Sequence, residues 1–190
     1  MEKHNHDDRV FFGFWIYLMT DLLMFAVLFA TFIVLRDSTF GAITMREIFN
    51  PPFVLVETLI LLTSSLTCGL GVLYLQRKEK NIALTLLSIT ALLGLAFVCM
   101  EVYEFRELLI EGNTPQRSSF LSAFFSLVGL HGLHISIGFT WLVIMIYQLY
   151  KKGLTHSNIR KSIMAGIFWH FLDVVWIFIF TIVYLFGGIL

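Results

Sequence analysis

The sequence predicts an all-α integral-membrane fold: a bundle of five transmembrane helices, amino terminus cytoplasmic and carboxyl terminus extracytoplasmic. Composition predicts the membrane. Of the 190 residues, 58% are hydrophobic and only 14% charged, against roughly 45–50% apolar and 25% charged in soluble domains. The number of helices follows from five apolar runs, since a helix needs about 20 residues to cross a hydrocarbon core of about 30 Å. Positive charge predicts the orientation.

The runs are Val10–Leu35, Phe53–Gln76, Ile82–Val102, Phe120–Tyr150 and Ile163–Leu190. Helices are required, because lipid leaves a free backbone amide unsatisfied. The polar tail MEKHNHDDR, residues 1–9, precedes a run too long for a signal-peptide core and without a small-residue cleavage pattern, so the first run reads as a retained helix. Residues 10–190 read as one membrane domain. The connectors hold the breakers and charges: RDSTFGAITMREIFNPP, RKEKN, RELLIEGNTPQRSS and KKGLTHSNIRK.

Alternating sides puts Lys3, Arg9, Arg77, Lys78, Lys80, Lys151, Lys152, Arg160 and Lys161 on one face. The other face holds Arg36, Arg46, Arg106 and Arg117. The richer face is cytoplasmic by the positive-inside rule.

Several function classes recede. A net charge of zero gives no footprint for nucleic acid. The loops are too short for a domain, and no nucleotide-binding glycine motif occurs. Five helices cannot divide into two equal inverted halves, which weakens a transporter reading. Cys68 and Cys99 lie within apolar runs and read as small hydrophobes.

Ionisable residues inside a membrane are costly and need partners or a purpose, at about 2.5–3.5 kcal/mol for Asp at mid-span. Asp21 and His131 each lie about 11 residues, or roughly 16 Å, into their spans. His170 and Asp173 lie at about 7 and 10 residues, so Asp21, His131, His134, His170 and Asp173 can share a central layer. Glu57, Glu101 and Glu104 lie nearer the outer surface. His131/His134, His170/Asp173 and Glu101/Glu104 are i,i+3 pairs, so each pair shares a helix face.

Three readings of this polar seam stay open. Imidazole and carboxylate from facing helices can bind a metal or haem, although Glu-x-x-His, His-Glu-x-x-His and thiolate ligands are missing. Asp and His can relay protons. Interhelical hydrogen bonds fix register at about 0.6 kcal/mol each. Ser122, Ser126, Gly129, Gly132, Ser136 and Gly138 in the fourth span, and Ser64, Ser65, Cys68, Gly69 and Gly71 in the second, favour close helix approach. Trp169 and Trp176 lie too deep for simple interface anchors.

GLHGLHISIG in the fourth span and FWHFLDVVWIFIFTIVYL in the fifth resemble the signatures of subunit III of the haem–copper respiratory oxidases. GFWIYLMTDLLMFAVLFATF, MEVYEF and SSFLSAFFSLVG agree, and the resemblance covers nearly the whole chain from Phe12. PPFVLVETLILLTSSLTCG looks most like the five-helix branch found in bacterial cytochrome o (bo-type) ubiquinol oxidases. Two further amino-terminal helices of the long cytochrome c oxidase form find no match, so the lipid-filled cleft they wall is not carried over unless another subunit supplies that wall.

The resemblance implies an accessory subunit of a complex that oxidises quinol, reduces oxygen to water and pumps protons across a bacterial plasma membrane. Haems and copper are expected in subunit I. No catalytic, metal or haem residue is expected in this chain, and bound phospholipid is the one ligand the resemblance allows. Its partners would be subunit I, other oxidase subunits and membrane lipid. Asp21 falls where the family places an intramembrane acid, commonly Glu, linked to proton uptake or lipid contact. His131, His134, His170, Asp173 and Glu101 match family positions; Glu57 looks specific to the quinol-oxidase branch. Rival expectations are subunit III of a cytochrome c oxidase, a stand-alone proton or cation transporter, and a haem-binding electron carrier.

Overall fold

A computed structural model describes residues 2–36, 38 and 51–185, with side chains from Arg9 onward and without that of Pro51. The side chains of residues 1–8, Arg46 and the end of the last run, 186–190, lie outside the described residues.

The chain folds into five long helices: α1 (Glu2–Leu35), α2 (Pro51–Gln76), α3 (Lys80–Ile110), α4 (Ser119–Lys152) and α5 (His156–Ile179). A wider π turn, Phe180–Leu185, continues α5, and a single 3₁₀ turn, Pro115–Arg117, precedes α4. All five are long and apolar enough to cross a membrane.

The boundaries differ from the sequence expectation in three places. The segment expected as a polar tail forms the first turns of α1. Helix α3 runs past the expected stop at Val102 to Ile110, and α5 starts at His156 rather than Ile163. Charge marks where apolar character ends, but the backbone keeps its i→i−4 bonds until a cap or a glycine stops it.

Those stops are visible. Ser118 Oγ accepts from the Leu121 amide at 3.1 Å and caps α4. Thr155 Oγ1 accepts from the Asn158 amide at 3.3 Å and caps α5. Between them Gly153 ends α4 at φ 70°, a left-handed backbone that suits glycine. The α2–α3 turn closes by the Glu79 amide donating to the Tyr74 carbonyl at 3.0 Å.

Helices α2 to α5 form a ring in which α2 packs on α3 and α5, and α4 packs on α3 and α5. Helix α1 lies outside it, mainly on α4 with a smaller contact to α5. It buries one narrow seam of Phe14, Leu18, Asp21, Phe25 and Phe32. Its other faces stay apolar and exposed, as in Leu23 and Val27, which suits lipid. Lys80 Nζ donates to the Tyr150 carbonyl at 3.1 Å, so the basic α2–α3 turn and the basic end of α4 lie together.

Candidate functional site

The polar residues singled out from the sequence lie inside the bundle in separate groups, each built by a different helix contact. On the α1–α4 seam, Asp21 Oδ2 stands 3.8 Å from His134 Nε2, a contact too long for a hydrogen bond. The other ring nitrogen, His134 Nδ1, lies 2.8 Å from the Leu130 carbonyl one turn back and donates to it, which fixes the ring. Phe25 of α1 sets its edge against the same imidazole at 5.4 Å. Asp21 thus gives α1 an acidic contact with the ring.

His131 shares the inward side of α4 but has different surroundings. Its ring stacks on Trp176 of α5 at 5.4 Å and 25°, and meets the edges of Phe97 and Phe25. It is fully buried, and neither ring nitrogen has a hydrogen-bond partner among the described residues. Here the imidazole packs as an aromatic plate joining α1, α3, α4 and α5.

His170 and Asp173 lie across the ring, where α5 meets α2. Ser65 Oγ and His170 Nδ1 are 2.7 Å apart and share a hydrogen bond. The imidazole lies over Gly69, where an added Cβ would come within 3.4 Å of Nε2. Asp173 is buried beside this pair, with its Oδ1 unpartnered among the described residues.

The glutamates form the fourth group. Glu57 of α2 is close enough to Glu101 and Glu104 of α3 for electrostatic interaction. Glu57 is fully buried, and among the described residues neither of its carboxyl oxygens nor Glu101 Oε1 has a hydrogen-bond partner. Tyr184 Oη donates to Glu104 at 3.2 Å. The Glu101 carboxyl rests on the α4 backbone at Gly132, where a Cβ would lie 2.6 Å from Oε1.

Several partners of these groups carried no distinct sequence signal. Trp169 Nε1 donates to Ser64 Oγ at 3.1 Å, and Ser64 donates on to the Thr90 carbonyl, linking α5, α2 and α3. Trp176 Nε1 donates to Thr58 Oγ1 at 3.1 Å. The depth of both tryptophans was a usable hint; Thr58 and Thr90 gave none. Tyr184 reaches the glutamates beside Trp176, 6.2 Å away ring to ring, because the π turn re-phases the end of α5.

The arrangement ties helices together. Among the described residues no three His, Cys, Asp or Glu side chains converge on one point as a metal-ligand set.

The family model described as cytochrome c oxidase subunit III matches residues 3–188. The chain is 49% identical over 188 residues to cytochrome bo(3) ubiquinol oxidase subunit 3 of Pseudomonas aeruginosa, covering 98% of this chain and 90% of that protein. It is 43% identical over 176 residues to a probable quinol oxidase subunit 3 of Staphylococcus haemolyticus, covering 92% and 88%. It is also 42% identical over 177 residues to a cytochrome c oxidase subunit 3 of a Bacillus species, covering 93% and 86%.

Proposed function

The chain belongs to the cytochrome c oxidase subunit III family, and from that premise we propose that it is the non-catalytic subunit III of a proton-pumping quinol oxidase. It sits as a multi-pass subunit in a bacterial inner membrane, with its amino terminus inside and its carboxyl terminus outside. Its work is mechanical: it braces subunit I and seals one side of it, with phospholipid between them. The haems and copper belong to subunit I in this reading.

The observation that carries the proposal is likeness to quinol-oxidase subunits 3 along nearly the full chain, at 49% identity in Pseudomonas aeruginosa. The use of the buried polar groups supports the bracing role. Ser64, Ser65, Thr58 and the two tryptophans join neighbouring helices, and Glu101 presses on a neighbouring backbone.

A blue-native gel with mass spectrometry of the bands tests this. The chain should migrate with a haem-containing subunit; migration free of any such subunit would sink the proposal. Asp173→Leu should lower the amount of assembled complex several-fold while turnover per assembled complex stays near normal. The reason is that it would strip the half-buried His170–Ser65 pair of its acidic neighbour. Full assembly with abolished turnover would instead favour a proton path.

The 42% identical Bacillus relative favours a second reading, subunit III of a cytochrome c oxidase. Donor assays on the purified complex decide: oxidation of cytochrome c without oxidation of quinol selects the second reading.

A further inference from the structure

Three carboxyl groups meet inside the bundle without the partners that charged carboxylates need. Glu101 and Glu104 come from one face of α3, and Glu57 points at them from α2. Glu57 is 0% exposed and Glu101 3%. Among the described residues, neither oxygen of Glu57 nor Glu101 Oε1 has a hydrogen-bond partner. The donor on hand is the Tyr184 hydroxyl, and it is spent on Glu104 at 3.2 Å.

The surrounding elements bring no counter-charge. On the α2–α5 side, the Trp176 indole donates to Thr58, next to Glu57. From α4 comes Gly132, where a Cβ would stand 2.6 Å from Glu101 Oε1 and 2.7 Å from Oε2. His131, one residue earlier on α4, lies stacked on Trp176. Arg106, two residues beyond Glu104, is exposed on α3. Among the described residues, no Lys, Arg or His forms an ion pair with any of the three carboxyls.

A carboxylate buried this deeply loses its hydration, and a second one beside it adds repulsion. Its oxygens only accept, so donors must come from elsewhere. A metal ion would need converging ligands, and among the described residues no three side chains converge. A proton meets both needs at once. It removes the charge and turns an acceptor-only group into one that also donates.

We propose that Glu57 and Glu101 form a buried proton-binding site, each holding a proton at neutral pH, near the end of the bundle opposite the basic α2–α3 turn. As neutral acids the two let α2 and α3 pack face to face; as anions they would push the helices apart. Glu104 is half-buried and takes the Tyr184 hydrogen bond, so it is the more open member of the group. The site goes beyond the bracing role and does not depend on which electron donor the complex uses.

The test is infrared spectroscopy of the intact complex at neutral pH. The natural chain is compared with Glu57→Gln, Glu101→Gln and the double variant. Glutamine keeps nearly the shape of the neutral acid and carries no charge. Each substitution should remove absorbance from the C=O stretch of protonated carboxyls and leave the carboxylate bands unchanged. The double variant should lose the sum of the two and still assemble in near-natural amount. Loss from the carboxylate bands instead would show ionised groups and overturn the proposal. Carboxylate bands that change on a chelator wash of the natural complex, and no longer do so in the double variant, would mark a bound cation and overturn it too. Failure of the single variants to assemble has the same force, because a neutral isostere replaces a neutral acid at little cost.

Discussion

At the scale of single residues, the sharpest constraint is the contact between Glu101 and the α4 backbone. Gly132 is there because anything larger collides: a Cβ would stand 2.6 Å from the carboxyl oxygen. Gly132→Ala should therefore destabilise the protein by about 1–3 kcal/mol, the usual cost of overpacking. A lowered melting temperature of the purified complex would register it. An unchanged melting curve would mean that the Glu101 side chain simply swings aside. The hydrogen bonds between helices are individually weaker. Trp176→Phe and Thr58→Ala should show a coupling of about 0.6 kcal/mol, and no more than about 1.7, in a double-mutant cycle. A coupling near zero would mean that the indole bond to Thr58 holds nothing. The residue types at these positions were legible in the sequence, as were the shared faces of the i,i+3 pairs. Their partners were not, because helical spacing says which residues point the same way and nothing about what stands opposite.

At the scale of elements, α1 differs from the rest. The ring helices each have two ring neighbours, whereas α1 leans on α4 and α5 through one seam. Phe25, 1% exposed, is the centre of that seam and touches both histidines of α4. Phe25→Ala leaves a cavity that in soluble cores costs roughly 3–5 kcal/mol. Helix α1 should then open first. Hydrogen exchange of the complex should speed up in α1 around Leu18–Phe29 while α3 and α4 keep their protection; equal acceleration in all helices would show that α1 and the ring unfold together. Element positions were largely readable from apolar length. Element ends were not: α5 starts at His156 because the Thr155 hydroxyl caps it, several residues before its apolar run begins. The π turn at Phe180–Leu185 had no local signature, yet it brings Tyr184 to Glu104.

At the scale of the whole molecule, basic residues collect at one end. The contact of Lys80 with the Tyr150 carbonyl draws the α2–α3 turn to the end of α4, near the basic start of α5. If that end is cytoplasmic, a reporter fused after Leu190 lies outside. Alkaline phosphatase there should be active and green fluorescent protein dark; the reverse pattern would invert the orientation. The same scale carries the bracing role. Among the described residues, most buried polar groups are turned to the bundle's own helices.

Five helices long and apolar enough to span a membrane, and membership of the subunit III family, were legible in the sequence alone. Apolar run length, charge and residue order are properties of the chain itself. Only the tertiary structure decided that the polar residues divide among separate helix contacts rather than meeting at one centre. It alone set α1 outside a four-helix ring and left His170 at the ring's outer rim. Those outcomes depend on which helix faces meet, and that is settled by close packing between segments far apart in the chain, such as Ser65 with His170 and Gly132 with Glu101.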